Sequence, residues 1–96
     1  MQNILVVKEK YGRIVYLTQE RYAYILRHPE MQNRLEEVEN TLKNPIIVED
    51  SKTDQKVKYY YTYYKEREEA KYLRVIVKYL NGKGFIVTAY FVEKRQ

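Results

Sequence analysis

The sequence predicts an α+β fold in which two N-terminal helices pack on one face of a curled, mainly antiparallel sheet of four to five strands. Three observations predict it. Residues 57–64 and 74–92 show the alternation and composition of strands. Residues 18–44 repeat apolar side chains at helical spacing. The length of 96 residues suits one small core, so residues 1–96 are expected to form a single domain.

The N-terminal half is predicted to contain two short strands and then two helices. The strands are residues 4–8 and 13–17, around a turn at residues 10–12. Thr18 suits the N-cap of the first helix. That helix should end before Pro29, because a proline disfavours the helical conformation of the residue that precedes it. The second helix should start at Pro29 and end at Asn44-Pro45. Its apolar stripe is Met31, Leu35, Val38 and Leu42.

A tyrosine-rich strand is predicted at residues 57–64, after a strand starting at residues 46–48 and a polar loop. Alternation separates its side chains into two sets. The sequence leaves open which set faces the core; only the apolar Val57 favours its own set, the second of the two given next, as the core-facing one. The first set is Lys58, Tyr60, Thr62 and Tyr64, and the second is Val57, Tyr59, Tyr61 and Tyr63.

Residues 74–92 form a predicted hairpin closed by a glycine turn. A three-residue loop at residues 82–84 would make the apolar set of one strand coincide with that of the other on one core face. A two- or four-residue loop would scatter them across both faces, which argues against it. The predicted core set is Leu73, Val75, Val77, Tyr79, Val87, Ala89 and Phe91. The opposite face would carry Arg74, Lys78, Thr88 and Tyr90, with Lys78 nearly opposite Thr88. Such a face suits a phosphate, or is simply solvated.

The positive charge is concentrated in the strand-rich half. The formal net charge is +5, and residues 51–96 hold eleven Lys/Arg against five Asp/Glu. A basic sheet attracts polyanions, in a salt-dependent manner. Aromatic and basic side chains together suit single-stranded RNA, which needs rings for bases and cations for phosphates. The alternative is that the tyrosines fill the core. The candidate RNA-binding residues are Lys58, Tyr60, Tyr64 and Tyr90.

The composition excludes several kinds of site. Cysteine is absent, so neither a disulfide framework nor a thiolate zinc site can form. A single histidine, His28, excludes a two-histidine ribonuclease site within one chain. The predicted strands 57–64, 72–80 and 85–92 lack Asp and Glu, which argues against a two-metal nuclease. No cofactor motif is present. Metal-free transesterification of RNA is the chemistry that these residues permit.

His28 is expected at the N-cap of the second helix, where a positive dipole disfavours the imidazolium. A neutral imidazole can serve as a general base. The alternative is a capping or packing role. The apolar run at residues 4–7 is too short for a signal peptide, and no segment could span a bilayer, so a cytoplasmic protein without membrane contact is expected.

The sequence also resembles a known family. The pattern R-I-V-Y-L-T-x-E-R-x-x-x-I-x-x-H-P-E-M runs from Arg13 to Met31, and L-x-x-V-x-x-T-L-x-N-P follows to Pro45. With K-Y-Y-Y, Y-L-R-V-I-V-K-Y-L and I-V-T-A-Y-F, it resembles the small nuclease domains of the barnase/EndoU/colicin/RelE group. The resemblance implies metal-independent RNA cleavage, often by a toxin paired with an antitoxin. It also implies His28, Lys78 or Arg74, and Thr88 as catalytic residues.

The leading hypothesis is therefore a toxin-type endoribonuclease that needs no metal or other cofactor, with RNA as substrate and an acidic antitoxin as partner. Two alternatives stay open. The same face could bind nucleic acid without cleaving it. The tyrosine strand could instead pair with a partner in a homodimer or another protein complex, because exposed tyrosines also suit protein interfaces.

Overall fold

The computed structural model describes residues 2–96, which form six strands, two α-helices and one 3₁₀ turn. The strands are β1 (Asn3–Lys8), β2 (Ile14–Thr18), β3 (Ile47–Asp50), β4 (Val57–Tyr63), β5 (Tyr72–Leu80) and β6 (Lys83–Val92). The helices α1 (Gln19–Ile25) and α2 (Leu35–Lys43) lie between β2 and β3 in the chain, separated by the 3₁₀ turn at Pro29–Met31.

All six strands form one mixed sheet in the order β1-β2-β6-β5-β4-β3. Strands β2 and β6 run parallel, whereas every other neighbouring pair is antiparallel. The predicted architecture of two N-terminal helices on a four- to five-stranded sheet is therefore wrong. The α+β class is right, and the two strands predicted before the helices are confirmed as β1 and β2, but they join the C-terminal strands through β2 in one six-stranded mixed sheet. This parallel pairing joins residues about 70 positions apart, which local sequence patterns do not show.

The helical region is less continuous than its apolar spacing predicts. Thr18 caps α1 as expected, because its hydroxyl accepts the Arg21 backbone N–H at 3.2 Å. The second helix starts at Leu35 instead of Pro29. Asn33 has a φ of 61°, in the left-handed region, which separates the 3₁₀ turn from α2. His28 precedes that short turn and makes no side-chain capping bond, so its predicted capping role is wrong.

The core lies between the helices and one face of the sheet, here called the inner face. Each strand of the β1-β2-β6-β5-β4 run contributes alternate side chains to it, as half-buried antiparallel strands do. The fully buried members include Val7, Val15, Leu17, Ile25, Met31, Val38, Leu42, Tyr60, Leu73, Val75, Val77, Ile86 and Ala89. The opposite face of the sheet, the outer face, is not covered by α2.

The β5–β6 hairpin has a different register from the predicted one. Leu80 pairs with Lys83 across a two-residue turn, Asn81-Gly82, whose φ values of 54° and 80° match a type I′ turn. A bulge follows, because Ile76 pairs with Thr88 whereas Val77 pairs with Ile86. The extra residue restores the apolar alternation that a regular two-residue hairpin would lose. Ile86, and not Val87, therefore enters the core.

Candidate functional site

The outer face carries a cluster of one histidine, one arginine and two tyrosines, here called the histidine cluster: His28, Tyr61, Arg74 and Tyr90. Arg74 lies between the buried residues Leu73 and Val75, so alternation directs its side chain outward. Its cross-strand partners are Tyr61 on β4 and Tyr90 on β6. His28 reaches the same face from the end of the α1 region.

The three rings of this cluster are joined through the guanidinium of Arg74 and one ring stack. The half-buried His28 ring stacks on Tyr90, with 5.2 Å between ring centroids and 18° between ring planes. Arg74 Nη1 donates to the Tyr90 hydroxyl at 3.3 Å, and Arg74 Nε donates to the Tyr61 hydroxyl at 3.0 Å. An imidazole, which is a type of group that can transfer protons, therefore lies one phenol away from a fixed positive charge, and the nearby Glu49 carboxylate of β3 is paired with Arg95.

The environment of Arg74 preserves its charge. Burial alone would lower the pKa of its guanidinium, but the hydrogen bonds to Tyr90 and Tyr61 outweigh burial and the pKa is raised. The guanidinium carbon also lies 5.1 Å from the centroid of the Tyr59 ring, within cation–π range. A permanently charged group held among phenols suits the stabilisation of a phosphate.

The residues that follow β6 cross this part of the outer face. Arg74 Nη2 donates to the Lys94 carbonyl at 3.4 Å, and the Gln96 backbone N–H donates to the Tyr61 hydroxyl at 3.3 Å. Arg95 forms an ion pair with Glu49 at 3.3 Å. These contacts explain why Tyr61 is 0% exposed although it lies on the face away from the core. Residues 93–96 therefore cover one side of the histidine cluster.

The other two predicted catalytic residues share the outer face but lie outside the cluster. Lys78 pairs with Phe85 and not with Thr88, so the predicted juxtaposition of Lys78 and Thr88 is wrong. Lys78 is four residues from Arg74, roughly 13 Å along the strand, and its amine lies 3.3 Å from the Asp54 carboxylate. Thr88 pairs with Ile76, and its buried hydroxyl has no hydrogen-bond partner among the described residues.

Three of the four predicted RNA-binding residues are placed where their proposed role is not available. Tyr60 is 0% exposed within the core, so its ring cannot stack on a base. Lys58 is the cross-strand partner of the core residue Val77, so it lies on the inner face, where it forms an ion pair with Asp50. Tyr64 packs edge-on against Phe91, with 5.8 Å between ring centroids. The fourth, Tyr90, belongs to the histidine cluster.

Besides Tyr90, the tyrosines on the outer face include the other alternating set of β4 and one residue of β5 that sequence reasoning missed, Tyr72. Tyr63 is 48% exposed, and its ring lies 5.0 Å from that of Tyr72. Val57 favours its own alternating set, which includes Tyr61 and Tyr63, as the core-facing one, and that expectation is wrong. Alternation in β5 could have found Tyr72, because it lies two residues before Arg74. β4 is paired with β3 and β5, so it cannot add a partner strand as the homodimer hypothesis required.

A buried polar cluster, which the sequence did not reveal, ties the first hairpin to the central strands. The Tyr60 hydroxyl donates to Glu9 Oε2 at 2.7 Å, and lies 2.6 Å from the Tyr79 hydroxyl. Glu9 Oε1 accepts the backbone N–H groups of Tyr11 and Arg13 at 2.8 and 3.0 Å. The Arg13 guanidinium lies 4.0 Å from the Tyr79 ring centroid. The Glu9 carboxylate accepts from the Tyr60 hydroxyl and from two backbone N–H groups, and Tyr60 in turn contacts Tyr79 and Arg13, which gives this cluster a structural role.

A groove of about 340 Å³ opens on the outer face beside α1. We call it the α1 groove. It is lined by Tyr16, Thr18, Glu20, Arg21, Lys78, Leu80, Phe85, Ile86 and Val87. Within residues 2–96, no group of three or more His, Cys, Asp or Glu side chains is arranged to hold a metal ion. Neither helix of the described chain has the length and apolar composition needed to cross a membrane.

Comparison with models of known protein families shows which family the chain belongs to. Residues 30–91 match the family model described as Domain of unknown function (DUF4258). The chain belongs to this family. Searches of curated proteins and of solved structures found no match. The DUF4258 match contains α2 and strands β3 to β6, and thus Arg74 and Tyr90, whereas His28 lies just before it. The family description names no activity, so function has to be argued from the site.

Proposed function

We propose that this DUF4258 domain is a metal-independent endoribonuclease of toxin type that acts at the histidine cluster. The observation that supports the proposal is the contact series from the His28 ring to Tyr90 and from the Tyr90 hydroxyl to Arg74. It combines a proton acceptor, a hydroxyl and a cation, which are the groups that RNA transesterification requires.

The reaction uses the substrate's own 2′-hydroxyl. His28 takes the proton of that hydroxyl, the 2′ oxygen bonds to the adjacent phosphorus, and the bond to the 5′ oxygen breaks. The products are a 2′,3′-cyclic phosphate and a 5′-hydroxyl, whose proton comes from Tyr90 or from water. Arg74 stabilises the charge that develops on the phosphate. A guanidinium has five N–H donors, and three of those of Arg74 are used within the protein, which leaves two for phosphate.

The proposal includes an acidic antitoxin and action on cytoplasmic RNA. The charge excess of residues 51–96, which include Arg74, favours both an RNA substrate and an acidic protein that would cover the same surface. A genomic neighbour that encodes a small acidic protein would support this partner. Its protection of cells that express the domain is the corresponding functional test.

The activity is tested with purified protein, tRNA and mRNA in the presence of a metal chelator. His28→Phe is the informative variant, because a phenyl ring keeps the stack on Tyr90 but cannot accept a proton. Arg27→Gln is the matched control, since Arg27 is the exposed neighbour of His28. The proposal expects cleavage by the wild type and by Arg27→Gln, with a loss of at least a hundredfold in His28→Phe.

Two results would overturn the ribonuclease proposal. The first is intact RNA across a panel of tRNA, mRNA and single-stranded oligonucleotides. The second is equal cleavage by wild type and His28→Phe, since that would point to a contaminating nuclease. Mapping the cleaved ends gives a further check, because the mechanism requires a cyclic phosphate on one product and a 5′-hydroxyl on the other.

A second candidate function is RNA binding without cleavage. This function is favoured because both cations predicted to be catalytic already have partners within the protein. Arg74 donates to three protein groups, and Lys78 forms an ion pair with Asp54. The exposed Tyr63 and the half-buried Tyr72 beside it offer aromatic surface for bases. This function expects affinity that falls with salt, no cleavage products, and unchanged binding in His28→Phe.

A further inference from the structure

The α1 groove combines two features that a nucleotide requires, an aromatic surface and nearby cations. Tyr16 of β2 and Phe85 of β6 are neighbours across the parallel pair, with ring centroids 5.7 Å apart and ring planes 28° apart. Phe85 is 37% exposed, which is high for a phenylalanine that has a ring neighbour. An exposed ring at the floor of a groove can stack with a base of any sequence.

Two cations line the same groove from opposite sides. Arg21 comes from the first turn of α1, and Lys78 comes from β5. The ion pair of Lys78 with Asp54 does not prevent phosphate binding, because both side chains are about 40% exposed and such surface pairs contribute little. Glu20 is the single carboxylate among the lining residues described for this groove. It repels phosphate but can accept hydrogen bonds from a base.

We infer that the α1 groove is a second nucleotide subsite for single-stranded RNA, with a base on Tyr16 and Phe85 and a phosphate between Arg21 and Lys78. The assignment of RNA rests on the proposed function at the histidine cluster. Phe85 and Tyr90 lie on the same strand, roughly 15 Å apart along β6. One RNA strand on the outer face can therefore occupy both places, with intervening nucleotides across Val87 and Thr88.

The arrangement sets a length requirement. A dinucleotide held at the histidine cluster is too short to reach the α1 groove, whereas an oligonucleotide of about eight residues covers both. The groove should therefore contribute to the affinity for longer single strands and leave the affinity for a dinucleotide unchanged. Base-paired RNA should gain nothing from the groove, because its bases are not free to stack on Phe85.

The test measures fluorescence anisotropy in the His28→Phe background, with a dinucleotide and with an oligoribonucleotide of about eight residues. Phe85→Ala should weaken binding of the longer RNA by about tenfold, the effect of losing one stacked base. Phe85→Leu keeps apolar bulk without an aromatic face and should show a similar loss if the fold is intact. Lys78→Gln should weaken binding and lower the salt slope by about one, whereas Lys43→Gln, at the exposed end of α2, makes the same charge change away from the outer face.

The outcomes separate this inference from the proposed activity. If both Phe85 variants and Lys78→Gln bind the longer RNA as tightly as Lys43→Gln does, the subsite is refuted, even where the wild type cleaves RNA. If these variants lose affinity while the wild type cleaves no RNA, the subsite stands and the ribonuclease proposal fails. Equal losses for the dinucleotide and the longer RNA would also refute the subsite, because they would place Phe85 at the histidine cluster.

Discussion

The hydroxyl of Tyr60 is expected to stabilise the fold more than any other single polar atom of the buried cluster. Its one proton goes to Glu9 Oε2, so the Tyr79 hydroxyl and Arg13 Nη2 must donate to the Tyr60 oxygen, at 2.6 and 3.2 Å. Glu9 is only 3% exposed, which leaves its carboxylate little access to water. Substitution of Tyr60 by Phe removes the one oxygen atom that is hydrogen-bonded to Glu9, Tyr79 and Arg13.

The magnitude follows from the charge and burial of Glu9. A hydrogen bond to a charged group contributes about 1.5–3 kcal/mol, and a buried group left without its partner adds a desolvation cost of about 1–3 kcal/mol. The backbone N–H groups of Tyr11 and Arg13 still bind Oε1, which limits that cost to Oε2. We therefore expect Tyr60→Phe to lower the free energy of unfolding by about 3 kcal/mol.

Urea unfolding followed by circular dichroism measures this change. For a domain of this size, a loss of about 3 kcal/mol lowers the urea midpoint by about 1.5 M and the melting temperature by roughly 15 °C. Tyr63→Phe is the matched control, because it removes the same hydroxyl from a side chain that is 48% exposed. It should change stability by less than about 0.5 kcal/mol.

A loss in Tyr60→Phe as small as in the control would refute the reasoning. It would mean that Glu9 is satisfied equally well without the phenol, by water or by a shift of the Arg13 guanidinium from its present 3.6 Å. A change in the urea slope together with the midpoint would instead indicate an altered denatured state, and the comparison would then be made from thermal unfolding.

Two further predictions concern the same end of the sheet. Burial alone would raise the pKa of Glu9, but the hydrogen bonds from Tyr60 and the backbone N–H groups, with the Arg13 charge, outweigh it and the pKa is lowered. The resulting stability is present above the unfolded pKa of about 4.3 and is lost as the pH falls through the lower folded value, so unfolding measured between about pH 5 and pH 3 should be steeper in the wild type than in Glu9→Gln. Identical pH profiles would contradict this. Gly84→Ala should cost about 1–3 kcal/mol by thermal unfolding, because the new Cβ would lie 2.8 Å from Tyr79 Cε1, whereas an unchanged melting temperature would show that the site has room.

Local patterns predicted the elements better than they predicted the sheet. The strand positions, the Thr18 cap and the apolar stripe of α2 follow from periodicity and capping chemistry, which act within a few residues. The parallel pairing of β2 with β6 depends on how the whole chain packs, so no short pattern encodes it. The hairpin register failed for a related reason. The bulge at Val87 absorbs one residue, and the composition of the strand alone does not show where a bulge lies.

The candidate site was predicted in part, for the same reason. His28, Arg74 and Tyr90 were identified by residue type and strand alternation, and they meet on the outer face. Lys78 and Tyr60 were misplaced, because the position of each depends on the hairpin register or on which face of β4 is buried. The polar cluster at Glu9 joins segments about 50 residues apart, so only the folded structure shows why a carboxylate and a phenol are buried together.

The contacts of Arg74 also determine which of the two candidate functions requires a local rearrangement. RNA binding alone can use the exposed aromatic rings and the two unused N–H groups of Arg74, with residues 93–96 in place. Transition-state stabilisation benefits from two parallel bonds to one phosphate, which are strongest when a guanidinium presents a whole edge. The bond from Nη2 to the Lys94 carbonyl is the longest that Arg74 makes, at 3.4 Å, and its acceptor is neutral. A phosphate is the stronger acceptor, so displacement of residues 93–96 from Arg74 is the rearrangement that the proposed cleavage needs if it is to use a whole guanidinium edge beyond the two N–H groups that are already free, and binding does not need it.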